Sequence, residues 1–154
     1  MAARSRAFAV LVFALLPLAS CTNEPDPVPA ACFGGPAPML SALERAPGAV
    51  ALGDGTRLSR CVSAARTDGD MQSLGLVFVR MADTLRAQAA RDPAAALRLG
   101  YLAGAVKAGA AAGAAGITMQ LARRVEQVAT LEQHSSAAAA AALLRGRRAG
   151  ERSG

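Results

Sequence analysis

One row of small residues in the second half of the chain constrains its fold more than any other feature. The row consists of Gly100, Gly104, Ala108, Ala112 and Gly116. Residues four apart lie on the same face of an α-helix, and glycine and alanine leave that face nearly flat. Because a second helix can approach such a face closely, the row predicts a helix-packing groove and a helical fold.

The start of this helix is also marked in the sequence. Asp92 is a suitable N-cap residue, and Pro93 suits the first helical position, where its missing N–H does no harm. Three glycines between residues 109 and 116 each cost about 1 kcal/mol in a helix interior, so they can divide the region into two helices. The second of these is expected over about 117–132, where leucine and valine recur on one side.

The strongest helical periodicity lies just before this region. Apolar residues recur at 3-4-3-4 spacing, namely Met71, Leu74, Phe78, Met81 and Leu85. We expect Asp70 to cap this helix. Residues 74–79 read LGLVFV and are apolar on every side, which is typical of a buried helix. The pattern therefore predicts that this helix lies at the centre of the domain.

Two shorter helices are predicted upstream. Residues 36–46 carry apolar side chains on one face and are followed by Pro47-Gly48, a pair that ends helices. Residues 58–65 repeat apolar side chains at i, i+3, i+4 and i+7, and Thr56 can cap them. A Gly-Asp-Gly turn at 53–55 leaves a small hairpin open as an alternative at this point.

The amino-terminal residues are organised like an export signal. Arg4 and Arg6 precede an uncharged apolar run over residues 7–18, and small residues follow the run. A positive start, about a dozen apolar residues and a small-residue cleavage site are typical of a secretory signal. The run is shorter than the roughly 20 apolar residues of a membrane-spanning helix. We therefore expect residues 1–20 to be a signal peptide that directs export.

The end of this signal, Leu18-Ala19-Ser20-Cys21, resembles the lipobox of bacterial lipoproteins at every position. The resemblance implies cleavage between Ser20 and Cys21 and attachment of a diacylglyceryl group to the Cys21 sulfur, with N-acylation as a further modification. The mature protein would then be anchored to the bacterial membrane by lipid and face outside the cytoplasm. In the alternative, an ordinary signal is cleaved nearby and Cys21 stays a plain thiol. Apart from the covalent lipid we expect no cofactor.

The cysteine count bears on the same question. The chain has three cysteines, Cys21, Cys32 and Cys61, and an odd number in an exported protein leaves one thiol to be explained. If lipid takes Cys21, the other two can pair in an oxidising compartment. A Cys32–Cys61 disulfide would close a loop of about 30 residues and contribute roughly 3–4 kcal/mol in the chain-entropy model. Two separate buried thiols are the alternative, and a metal site is less favoured because one histidine and two distant cysteines form no ligand cluster.

Charge and aromatic content argue against nucleic acid as a partner. The chain has 17 Lys and Arg against 11 Asp and Glu, and two of the basic residues lie in the signal peptide. It contains no Trp and one Tyr on which bases could stack. The expected export also separates it from nucleic acid.

The last residues combine alanine and arginine. Residues 134–154 contain six consecutive alanines followed by a segment with four arginines and one glutamate. A short alanine helix is marginal in water, so we interpret this segment as a frayed helix with a disordered basic end. The alternative is an electrostatic contact with anionic lipid or an anionic envelope polymer.

Reactive side chains are scarce. His134 is the only histidine, and a lone histidine at a helix end is typical of a favourable C-terminal charge. The Asp68-Gly69-Asp70 triplet lacks the longer ligand series of a calcium loop. The glycines near residue 100 follow a helical pattern, unlike a phosphate-binding loop. We therefore predict no catalytic, cofactor-binding or metal site, and no enzyme.

These observations together predict an all-α protein, a small bundle of four to five helices with one disulfide. The expected organisation is a flexible Pro-rich tether over 21–33, a helical domain over 34–133 and an Ala/Arg-rich tail over 134–154. The predicted function is that of a non-catalytic envelope lipoprotein, which contacts membrane lipid through Cys21 and binds or supports another envelope component. The alternatives are a small-ligand carrier with a pocket between helices and a membrane-embedded glycine-zipper protein.

Overall fold

The computed structural model describes residues 26–113, 116–130 and 135–154. These ranges contain a short 3-10 helix, Ala30–Phe33, and the α-helices α1 (Pro36–Leu43), α2 (Leu58–Ala64), α3 (Asp68–Ala89), α4 (Pro93–Ala112), α5 (Ile117–Val128) and α6 (Ala137–Ser153). No strand occurs in them, so the predicted all-α class is confirmed, with six α-helices where four to five were expected. The signal peptide, residues 21–25 and His134 lie outside the described residues.

A disulfide between Cys32 and Cys61 closes the first part of the domain. The two Cα atoms are 5.5 Å apart, and both side chains are fully buried. The predicted pairing is therefore confirmed, and the alternative of two separate thiols is wrong. The bridge joins the 3-10 helix to α2 and forms part of the hydrophobic core.

The segment between α1 and α2 is a turn rather than a hairpin. The Leu52 N–H donates to the Thr56 carbonyl at 2.8 Å, and Gly55 has a φ of +84°, a left-handed conformation that favours glycine. The Asp54 carboxylate accepts a hydrogen bond from the Thr56 N–H at 2.9 Å. Because Arg57 occupies the N-cap position of α2, the prediction that Thr56 caps this helix is wrong.

Helix α3 begins with a capping box formed by Thr67 and Asp70. The Asp70 N–H donates to Thr67 Oγ1 at 3.0 Å, and the Thr67 N–H donates to Asp70 Oδ2 at 3.1 Å. Thr67 is therefore the N-cap residue, and the prediction that Asp70 holds that position is wrong by three residues. The apolar stripe predicted between residues 71 and 85 is buried as expected. Leu76, however, is 71% exposed, so one side of α3 faces solvent although the residues around it are apolar.

The centre of the domain is α4, which packs against α2, α3, α5 and α6. Its buried residues are nearly all small or aliphatic and run from Ala95 to Ala110. The predicted start is confirmed, because Asp92 accepts a hydrogen bond from the Ala94 N–H at 2.8 Å and Pro93 takes the first helical position. The region also divides into two helices as expected, with Gly113 ending α4.

The carboxyl-terminal segment is a helix packed on α4, so the prediction of a frayed helix with a disordered end is wrong. Helix α6 spans 17 residues and is capped at its start by Ser136, whose hydroxyl accepts a hydrogen bond from the Ala139 N–H at 3.1 Å. Ala139, Ala142 and Ala149 are buried. Tertiary packing therefore supplies the stability that an isolated alanine helix lacks.

Candidate functional site

The helix-packing groove predicted on α4 is occupied, in its first part, by α6 of the same chain. A Cβ added to Gly100 would lie 2.8 Å from the Leu143 carbonyl carbon and 2.9 Å from the Arg147 nitrogen. One added to Gly104 would lie 2.8 Å from the Glu151 nitrogen. Real Cβ atoms do not approach backbone so closely, so the two helices touch backbone to backbone at these glycines.

Helix α6 carries a matching row, Gly146 and Gly150. A Cβ at Gly146 would lie 2.9 Å from the Tyr101 nitrogen, and one at Gly150 would lie 2.8 Å from the Ala105 nitrogen. Residue numbers in both helices rise together along the contact, so α4 and α6 run parallel. The sequence signal for this second row is its four-residue spacing, but the prediction of a frayed helix with a disordered basic end gives these glycines no packing role.

The rest of the predicted row lies elsewhere. Ala108 is half-buried, Ala112 is exposed, and Gly116 lies outside α4 as the N-cap of α5. Helix α6 ends at Ser153, and a Cβ at Gly154 would meet Ala105 of α4. Because α6 does not continue beyond this level, only Gly100 and Gly104 of the row lie beside it.

An ionic network joins α6 to α4 and α5 beside this contact. Lys107 Nζ lies 2.8 Å from Glu151 Oε1, and Arg147 pairs with both Glu151 and Glu126. The hydrogen bond from Lys107 is the largest cause that lowers the pKa of Glu151, and the charges of Lys107 and Arg147 lower it further. These side chains are about one-third to one-half exposed, so each pair contributes only about 0–1 kcal/mol. Both Lys107 and Arg147 contact the Oε1 atom of Glu151, so the network lies across the contact between α6 and α4.

The outward side of α3 forms an open groove, which we call the α3 groove. It has a volume of about 790 Å³, and its lining includes Gly75, Leu76, Val79, Arg80, Asp83 and Arg124. A smaller opening of about 250 Å³ shares Gly75 and Arg124 with it and extends to Ile117 at the start of α5. Leu76 is 71% exposed and Ile117 is 40% exposed, so the groove offers accessible apolar surface between charged side chains.

A second depression of about 320 Å³ lies between α4, α5 and α6. Gly100, Ala103, Leu143 and Leu144 give it apolar walls, and Glu126 and Arg147 border it. It is open to solvent, like the α3 groove. Residues 131–134, which connect α5 to α6, lie outside the described residues.

The described residues offer few groups for chemistry. Within residues 26–113, 116–130 and 135–154, no three His, Cys, Asp or Glu residues come together as a metal site would require. Asp70 is engaged in the capping box, and its hydrogen bonds with Thr67 lower its pKa. The predicted lipidation site at Cys21 and the cleavage site between Ser20 and Cys21 lie outside the described residues.

None of the described helices combines the length and the hydropathy needed to cross a membrane. Comparison with protein-family models, curated proteins and solved structures gives no match.

Proposed function

We propose that this protein is a lipid-anchored, non-catalytic envelope protein of a bacterium, whose helical domain binds another envelope component. The observation that carries the proposal is the Cys32–Cys61 disulfide, because it accounts for two of the three cysteines and leaves Cys21 as the odd one. Disulfides persist in oxidising compartments outside the cytoplasm, which supports export. Cys21 in turn ends the segment that resembles a lipobox.

The anchor is tested by Cys21→Ala in the full-length precursor, expressed in bacteria that process lipoproteins. We expect the variant to lose labelling with radioactive palmitate and to remain uncleaved. A Cys32→Ala/Cys61→Ala double variant is the matched control and should keep its label, because lipidation reads the signal rather than the folded domain. Unchanged labelling of the Cys21 variant would refute the lipid anchor.

The α3 groove supports a binding role. Leu76 and Ile117 provide exposed apolar surface, and Arg80 and Arg124 stand beside it. Binding surfaces typically combine a small apolar centre with a polar rim, and arginine pairs well with carboxylates. We infer that the partner is a protein segment that inserts an apolar side chain next to an acidic residue.

This role is tested by a photo-crosslinking amino acid placed at Leu76 in intact cells. We expect one discrete crosslinked protein, and we expect Arg124→Glu to abolish it by reversing the rim charge. The same crosslinker at Arg91, which is exposed at the turn between α3 and α4, is the matched control. Identical adducts at both positions, or adducts indifferent to the charge reversal, would contradict a specific partner at the groove.

The structure bears differently on the two alternatives. The volume of the α3 groove lies within the range of small-ligand pockets, but such pockets enclose most of their ligand, whereas the groove is open along α3. This geometry favours a protein segment over a carried small molecule. For the glycine-zipper alternative, α6 already occupies the face of Gly100 and Gly104, which accounts for these two glycines within the domain.

A further inference from the structure

Helix α3 carries a second row of residues on the side that faces away from the core. The row, which we call the outer row, consists of Gln72, Leu76, Val79 and Asp83, and all four line the α3 groove. Its 4-3-4 spacing is that of the contact positions of a coiled coil, which repeat every 3.5 residues on average, about two per heptad. Helix α3 therefore has one regular face packed in the core and another turned toward solvent.

The outer row has an apolar middle between polar ends. Leu76 is 71% exposed, the highest value for any bulky apolar side chain in the described ranges, and Val79 is half-buried beside it. Gln72 at one end and Asp83 at the other are both exposed. A partner helix must therefore offer apolar side chains at its middle and hydrogen-bonding groups on either side.

A second copy of α3 meets this requirement when the two helices run antiparallel. Placing Leu76 of each copy opposite Val79 of the other fixes the register. The same register places Gln72 of each copy opposite Asp83 of the other, where the side-chain amide can donate to the carboxylate. The contact is then two-fold symmetric, with each surface serving as partner to an identical one.

Charge complementarity favours the same arrangement. Arg124 of α5 lines the groove at the end of the row that contains Gln72, so it stands where Asp83 of the second copy arrives. Neither Asp83 nor Arg124 takes part in an ion pair with another described residue. The antiparallel pair thus forms two Asp83–Arg124 contacts, whereas a parallel two-fold pair would place Asp83 against Asp83.

We propose that the segment bound in the α3 groove is α3 of a second copy of this chain, in an antiparallel pair. This pairing rests on the proposed function, in which the groove binds a protein segment with an apolar side chain next to an acidic residue. Val79 and Asp83, which lie one helical turn apart, are such a combination. Each copy therefore supplies both the groove and the segment that occupies it.

The test uses two full-length precursors with different epitope tags, expressed together in the same cells. One copy carries a photo-crosslinking amino acid at Leu76. We expect an adduct that carries both tags, and mass spectrometry should locate the attachment on the second copy near Val79. Arg124→Glu or Asp83→Arg, introduced in both copies, should each lower the yield of this adduct at least about fivefold, because each change replaces both symmetric attractions with repulsions.

Combining the two charge reversals distinguishes a second copy from any other partner. With Asp83→Arg and Arg124→Glu in both copies the charges are opposite again, and most of the adduct should return. Arg91→Glu is the matched control and should leave the yield unchanged. An adduct with both tags that the double reversal does not restore would overturn the antiparallel pairing.

The identity of the adduct separates this proposal from the proposed function. A discrete adduct with a different protein, still abolished by Arg124→Glu, refutes the second copy and leaves the groove as a binding site. The absence of any discrete adduct at Leu76 refutes the binding role of the groove and the pairing together.

Discussion

The backbone contact between α4 and α6 predicts that one substitution has opposite effects at two helical glycines. Glycine to alanine in a helix interior normally adds stability, up to about 1 kcal/mol, because glycine is the poorer helix former. At Gly75 of α3 an added Cβ meets nothing within 4 Å, so Gly75→Ala should stabilise the protein by about 0.5–1 kcal/mol. At Gly146 of α6 the same methyl group would collide with backbone, so Gly146→Ala should destabilise it.

The size of the second effect follows from what the methyl group would touch. A Cβ at Gly146 would lie 2.8 Å from the Leu97 carbonyl carbon and 2.9 Å from the Tyr101 nitrogen, and helix backbone cannot rotate aside as a side chain can. The helices must separate by about 1 Å, and a gap of that size forfeits up to about half of each dispersion contact along the interface. Overpacking costs typically about 1–3 kcal/mol, which the gain in helix propensity offsets only in part. We expect a net loss of about 2 kcal/mol.

Both variants are measured on the mature chain with its disulfide intact, by urea unfolding for the free energy and by thermal unfolding for the melting temperature, each followed by far-UV circular dichroism. For a chain of this size, a loss of about 2 kcal/mol lowers the melting temperature by about 6–10 °C. Gly75→Ala should raise the melting temperature by a few degrees. Stabilisation by Gly146→Ala, or a shift of the same sign and size at both positions, would refute the inferred contact between α4 and α6.

Two other predictions concern caps and charges. Thr67→Ala removes the capping side chain of α3 and should lower the free energy of unfolding by about 1 kcal/mol, measured by urea unfolding. Thr67→Ser keeps the hydroxyl and should retain most of the stability, which would show that the hydroxyl and not the methyl group is responsible. Glu151→Gln should make the free energy of unfolding less dependent on pH in the acid range. Because the pKa of Glu151 is lowered in the folded protein, its contribution is present above the ordinary glutamate pKa and disappears as the pH falls through the lower folded value. An unchanged acid limb in the Gln variant would show that the pair with Lys107 does not contribute.

Patterns carried by large side chains could be predicted from the sequence. The spacing of Met71, Leu74 and Phe78 identified the buried face of α3, since burial of such side chains outweighs local preferences. The cysteine pair followed from counting, because one of three cysteines had a separate explanation. The prediction for the cap of α3 is wrong by three residues, because Thr67 and Asp70 both have good capping chemistry and only the geometry shows which position each takes.

Patterns carried by small side chains were harder to use. The run LGLVFV suggested that α3 is central, yet the central helix is α4, whose alanines and glycines allow neighbours to pack closely from several directions. Hydropathy ranks Leu76 above any alanine, but it contains no information on how closely the backbone of another helix can approach. For the same reason the sequence of residues 137–153 predicts an unsupported alanine helix, whereas in the structure Gly146 and Gly150 pack against the backbone of α4.

A close contact made by two glycine rows should behave as one cooperative unit. A Cβ at Gly100 would push against Leu143 and Arg147, and a Cβ at Gly146 against Leu97 and Tyr101, so either one forces apart the same pair of helices. Once the first methyl group has separated them, the second meets a contact that is already open.

The Gly100→Ala/Gly146→Ala double variant should therefore lose at least about 1 kcal/mol less than the sum of the single losses. Gly75→Ala combined with Gly146→Ala is the control and should be additive within about 0.5 kcal/mol, since α3 does not take part in the contact. Additivity in both pairs would mean that the two glycines are accommodated independently, and that α6 does not move as a rigid element against α4.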